Sequence, residues 1–210
     1  MVVGIIVVLA AILLPALSSS RRRAHMTACT NNLRQQSMGW TIYRGDYDNW
    51  PSPWLSTLYP EYVGSADVYH CPGDLNPDDT APANWVSRPD GDQYTEAYDR
   101  PGNTGVHGFD PNPEVTRISY FYECSDAACS WTWPGAPTNP SWGEVKMAQL
   151  KQRDKDDPDS GPYIETEFPV VRCFWHVRNV KQIFFDNKGY HQEKSVPVLN
   201  IAWAGNVFHS

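Results

Sequence analysis

Residues 1–43, MVVGIIVVLAAILLPALSSSRRRAHMTACTNNLRQQSMGWTIY, decide how this chain folds. Met1 to Leu17 carry no charged or strongly polar side chain. As a helix that run spans about 25 Å, slightly short of a hydrocarbon core about 30 Å thick. Arg21, Arg22 and Arg23 follow almost directly and read as a membrane-interface flank. Beyond them Met26, Cys29, Leu33, Gln36, Trp40, Tyr43 and Tyr47 recur every three or four residues, a helical stripe that is apolar except at Gln36. No Gly or Pro interrupts Ser18 to Met38, so one helix is predicted from the apolar run to about Tyr43, stopping near Gly45 and Pro51. Its front half suits lipid or a subunit bundle. Its back half suits packing on a globular body.

The remaining length of the 210-residue chain is enough for one ordinary domain with its own core. A formal charge of −7 argues against nucleic acid as a partner, because neutralising phosphates needs a basic surface. Eighteen Pro and fourteen Gly indicate a loop-rich body with short strands. Five Cys fit an exported protein with one or two disulfides and an odd thiol. The arginines lie only on the C-terminal side of the apolar run, which by the positive-inside rule would hold the body in the cytoplasm. The cysteines and the aromatic, proline-rich body point the other way, and a basic leader ahead of Met1 would reconcile the two.

After the helix, Pro53 to Leu58 reads as a short helix, and residues 72–113 as a long polar loop. Strands are predicted at Thr116–Cys124, Pro169–His176, Val180–Phe185, Val196–Trp203 and Asn206–His209, with a turn at Asn187-Lys188-Gly189. Gly143 to Gln152 reads as a short helix. Cys124 and Cys129, close in sequence, read as a small clasped loop. The expected fold is α+β, a small antiparallel sheet on the amphipathic half of the helix. The expected organisation is 1–17 assembly helix, 18–45 its amphipathic continuation, and 46–210 a sheet domain with a loop-rich insert at about 72–165.

VVGIIVVLAAILLPAL, the basic stretch and CTNNLRQQSMGWTIYRGDYDNWP together resemble the start of type IV pilin-like proteins, closest to the pseudopilin-like families abundant in planctomycetes. The tail PVVRCFWH…VPVLNIAWAGNVFHS is similar to their ending. The resemblance covers residues 2–53 and 168–210 and leaves 75–165 unmatched. Two features depart from it. The leader, its cleavage site and the glutamate of the family's GFTLIE motif are absent, and Met1 falls about seven residues into the family's mature helix, as for a mis-called start codon or a fragment. Ala204-Gly205 stands where the family often has Asp-Gly.

The resemblance implies a structural subunit held in the inner membrane by a single pass, with an extracytoplasmic C-terminal domain and links to type II secretion or a type IV pilus-like machine. Val2, Ile5, Ile6, Leu9, Ile12, Leu13, Pro15 and Leu17 would then serve anchoring and self-association with other pilin-like subunits, Pro15 supplying a kink or local melting point. Met26, Leu33, Trp40 and Tyr43 would dock the body. Prepilin peptidase would be a partner if the true start lies upstream. The resemblance also implies that Cys29 faces Cys71. A disulfide there would close a loop of about forty residues and contribute roughly 3–4 kcal/mol; two buried thiols are the alternative.

Cys173-x-x-His176 has metal-ligand spacing, and His70-Cys71, His191 or His209 would be needed to complete a site. There is no second paired motif, and the family pairing uses Cys71, so no metal is assigned. Some pseudopilins hold calcium, and Asp154, Asp156, Asp157 and Asp159 are the residues here that would do so. Their spacing lacks the bidentate glutamate of a calcium loop, so a solvated acidic turn is the reading and no cofactor is expected. No G-x-S-x-G, H-E-x-x-H, Walker A or dinucleotide motif occurs, so no enzyme is expected. The rival to the pilin-like reading is a membrane-tethered binding module with an aromatic ligand surface built from Trp85, Trp131, Trp133 and Trp142.

Overall fold

The computed structural model describes residues 2–74, 99, 103–131, 135–152, 161–176, 183–186, 189–192 and 198–209. Helix α1 runs unbroken from Val2 to Asp46, through Pro15. Its length, about 67 Å, matches the expected single helix and extends it by one turn. The stripe is on the buried side: Cys29, Leu33, Gln36 and Trp40 are sealed, while Met26 and Tyr43 pack partly against the core. Tyr47 lies past the helix end and is half exposed. From Leu17 to Ala24 every residue is exposed, so the helix joins the body only at about His25.

Among the described residues, no helix is long and apolar enough to cross a membrane. The described part of the apolar run ends at Leu17 and passes straight into serines and arginines. The expected single-pass span therefore has no support from the described residues.

The body opposite α1 is a four-stranded antiparallel sheet in the order β1-β2-β5-β6: β1 Phe121–Tyr122, β2 Pro169–Cys173, β5 Leu199–Ala202 and β6 Val207–His209. A separate hairpin pairs β3, Ile183–Asp186, with β4, Gly189–Gln192, a strand not expected; Asn187 and Lys188 of the expected turn lie outside the described residues. The α+β class is as expected. The predicted strand Thr116–Cys124 shrinks to two residues, because Ser119 N–H bonds to Tyr69 C=O at 2.9 Å rather than to a neighbouring strand. Ile118, Tyr120 and Tyr122 nonetheless bury their side chains. The stretch at about 72–165, expected to be loop-rich, supplies both β1 and helix α2, Trp142–Lys151. Helix α2 starts on a reciprocal capping box: Ser141 Oγ accepts from Glu144 N–H, and Glu144 accepts from Ser141 N–H at 2.9 Å.

Helix and sheet meet through Trp40 and Trp203, whose rings cross edge to face at 5.2 Å. Trp40 Nε1–H donates to the Tyr122 hydroxyl at 3.3 Å, and that hydroxyl donates to Ser52 C=O at 2.8 Å. On the helix's other flank Gln36 Nε2 donates to Val68 C=O at 2.6 Å, and Asn32 Nδ2 to His70 C=O at 2.9 Å. Gly39 sits where a Cβ would come within 2.7 Å of Tyr62 C=O, so only glycine lets that loop lie against the helix. Apolar burial and these side-chain hydrogen bonds thus fix the back half of α1, and none of these contacts reaches the front half.

Candidate functional site

Four side chains from three chain segments converge at α1. Cys29 comes from the helix, and Cys71 from the turn that follows a short 3-10 helix at Ala66–Tyr69. Cys173 ends β2, and His176 lies in the turn just after it. Their ligand atoms all lie within 4.8 Å of one another, and all four residues are buried. Cys29 Sγ lies 3.3 Å from Cys173 Sγ, Cys173 Sγ 3.6 Å from Cys71 Sγ, and Cys71 Sγ 3.2 Å from His176 Nε2.

Surrounding groups hold these atoms in place. Gly73 N–H donates to Cys71 Sγ at 3.4 Å, and the Tyr120 hydroxyl to Cys29 Sγ at 3.6 Å. Burial lifts the Tyr120 phenol far above its ordinary value, so it stays a donor. A Cβ on Gly73 would stand 2.9 Å from His176 Cε1, so the imidazole rests where a side chain would be. Hydrogen bonds from Cys173 and Cys29, then the nearby His176, pull the Cys71 thiol well below the usual range, toward thiolate. Burial pushes Cys173 the other way.

None of the five cysteines is disulfide-bonded. The implied Cys29–Cys71 bridge is therefore corrected: the two thiols share a pocket with Cys173 and His176, and Cys173 stands at hydrogen-bonding distance from both. The Cys124–Cys129 clasp is corrected too. The backbone around Cys129 is zipped to residues 140–142, with Cys129 N–H on Pro140 C=O at 2.8 Å and Trp142 N–H on Ala127 C=O at 3.0 Å. Cys124 is instead buried behind Gly143, where a Cβ would meet its carbonyl at 2.9 Å.

The other singled-out residues separate clearly. Leu33 and Trp40 dock the helix as expected, with Met26 and Tyr43 at the margin of the core. Leu13 and Leu17 are exposed, as are Arg21, Arg22 and Arg23. Val2, Ile5, Ile6, Leu9, Ile12 and Pro15 lie on α1, and their side chains fall outside the described residues. Asp154, Asp156, Asp157 and Asp159 fall wholly outside them, as do Trp85 and Trp133. Trp142 is buried, with the Trp131 ring 5.5 Å away, so this pair reads as core rather than platform. His70 turns away from the cluster to meet Arg117 at 2.8 Å, and His209 is exposed on β6.

A cleft of 520 Å³ opens at the C-terminal end of α1. Aromatic rings of Tyr47, Trp50 and Phe109 and the polar groups of His107, Asp126 and Glu144 are among its lining. His107 Nδ1 meets Asp126 at 2.5 Å, and that hydrogen bond raises the imidazole above its ordinary value. Neither the cleft nor the full Cys-His set was singled out from sequence. The Cys173-x-x-His176 half was visible as a motif; the other two cysteines lie 144 and 102 residues from Cys173 and carry no local pattern.

No protein-family model, curated protein or solved structure matches the chain.

Proposed function

We propose that the chain is a structural, pilin-like subunit that anchors in a membrane and assembles with copies of itself through the front half of α1. The observation that carries this reading is the division of that helix. The described leucines of its front, Leu13, Leu14 and Leu17, are 64 %, 65 % and 62 % exposed, while Cys29, Leu33 and Trp40 are completely sealed. Roughly 35 Å of helix extends beyond the body. Apolar side chains on a free-standing helix gain by entering lipid or by packing on equivalent helices. The arginine triplet places charge between that apolar segment and the body, where headgroups or solvent would meet it. The inner membrane as the site, an extracytoplasmic body and a link to type II secretion or pilus-like machinery come with this reading, supported by the residues that resemble pilin-like proteins.

Cysteine cross-linking of the full chain in membranes tests it. Leu13→Cys and Leu17→Cys should form dimers on oxidation, and Tyr163→Cys, an exposed position on the body, should not. A chain that fractionates away from membranes, or that cross-links equally from Tyr163→Cys, overturns the reading.

The cleft favours a second reading, a tethered binding module. Exposed Tyr47, Trp50 and Phe109 could stack on sugar rings, while Asp126 and Glu144 accept from hydroxyls. Saturable binding of polysaccharide, lost in Trp50→Ala, together with absence of self-association would favour it.

A further inference from the structure

We propose that Cys29, Cys71, Cys173 and His176 form a structural zinc site that fastens α1 to the sheet. The ligand set is three sulfurs and one imidazole nitrogen, which suits tetrahedral zinc. At Zn–S distances of about 2.3 Å, tetrahedral sulfurs stand about 3.8 Å apart. The observed separations of 3.3 and 3.6 Å, and 3.2 Å from sulfur to imidazole, need only small outward movements to reach that arrangement. A disulfide needs sulfurs about 2.05 Å apart. It would also join only two of the three thiols, leaving the third cysteine and the histidine buried together without a role.

The surroundings fit thiolate ligands. Three thiolates and one Zn²⁺ leave a net negative charge, and Gly73 N–H and the Tyr120 hydroxyl are aimed at two of the sulfurs. Such donors position ligands and spread their charge. His176 presents Nε2 to Cys71, and the absent side chain at Gly73 leaves space for its ring. All four donors are protein groups and all are buried, which matches a closed structural site; a catalytic zinc keeps a position for water. Thiolate-rich coordination disfavours magnesium and calcium.

Binding would couple folding to metal, because Cys29 and Cys173 lie 144 residues apart and come together only in the native fold. The proposal does not depend on pilin-like assembly: a subunit of either function would carry the site.

The test uses the full chain purified in detergent under reducing conditions, with zinc measured by elemental analysis and native mass spectrometry. About one tightly held zinc per chain is expected. Replacement by Co²⁺ should give the intense visible bands and the sulfur-to-metal charge transfer of a tetrahedral thiolate site. Cys71→Ser and His176→Gln should lose the metal, and Cys124→Ser, buried outside the cluster, should keep it. If the ligand variants fail to fold, Tyr120→Phe serves instead, and should weaken zinc binding about tenfold by removing one donor to Cys29. A metal-free chain with accessible thiols, a mass showing a disulfide among Cys29, Cys71 and Cys173, or zinc retained in both ligand variants would overturn the proposal.

Discussion

Cys29 on the first helix and Cys173 at the end of β2 place their sulfurs 3.3 Å apart across 144 residues of chain. This contact ties α1 to the middle of the sheet at the point where the helix enters the body. Its neighbours on the helix, Leu33 and Trp40, extend the same seam.

Leu33→Asp should detach the helix from the body. Leu33 is completely buried, and an unpaired carboxylate there removes its apolar contacts and adds a desolvation penalty, together about 3–5 kcal/mol. Thermal unfolding and limited proteolysis of a chain beginning at Ser18 would show this as a lowered midpoint and cleavage between helix and sheet. An unchanged midpoint would contradict the docking role.

Gly73→Ala should displace His176. The added methyl would meet the imidazole at 2.9 Å, and His176 is buried and holds its Nε2 against Cys71 Sγ. Overpacking of this kind costs about 1–3 kcal/mol. The displaced ring should also appear as a shifted His176 imidazole resonance, which Gly64→Ala, with open space around its Cβ, should not produce.

Glu123 should make the fold sensitive to acid. Burial alone would raise its carboxyl, but Arg172 and then Lys146, at 2.5 Å, outweigh it and hold the group below the usual value of 4.5. A lowered folded value adds stability that is complete above the unfolded carboxyl's range and disappears as pH falls through the folded one. Glu123→Gln should flatten that acid limb. At neutral pH it should cost roughly 2–3 kcal/mol, because two partly buried cations lose their partner. Unfolding midpoints across the acid range would settle both points.

Arg44 packs over two indoles, its guanidinium 4.4 Å from the Trp40 ring centre and 3.9 Å from that of Trp203, and it donates to Trp203 C=O. Arg44→Ala should cost about 1–3 kcal/mol, combining lost cation–π contact and lost stem packing. Arg44→Lys should recover only part of this, since an ammonium has no planar face to stack on an indole. Chemical denaturation of the three forms would rank them.

Much of the fold was legible because its signals are local. The stripe from Met26 to Tyr43 announced α1, and alternating apolar residues announced β2 and β5 near their true positions. Thr116–Cys124 was overread because alternation reports burial, and Ile118 and Tyr120 are buried without a strand partner. The Cys-His cluster was half legible: its chelating pair sits within four residues, whereas Cys29 and Cys71 arrive through the packing of helix and loop. The cleft left no periodic trace, since its walls come from a helix end and separate loops.

The sheet order has a consequence for how the protein is made. β5, from residues 199–202, lies between β2 and β6, and Trp203 just beyond it packs against Trp40. During synthesis α1 leaves the ribosome before β2 and β5, the strands its buried face packs against. The docking face of the helix therefore stays uncovered until Trp203 has emerged. Loss of residues 199–203 would leave β2 without its inner neighbour and Trp40 without Trp203, so such a chain should expose apolar surface and aggregate.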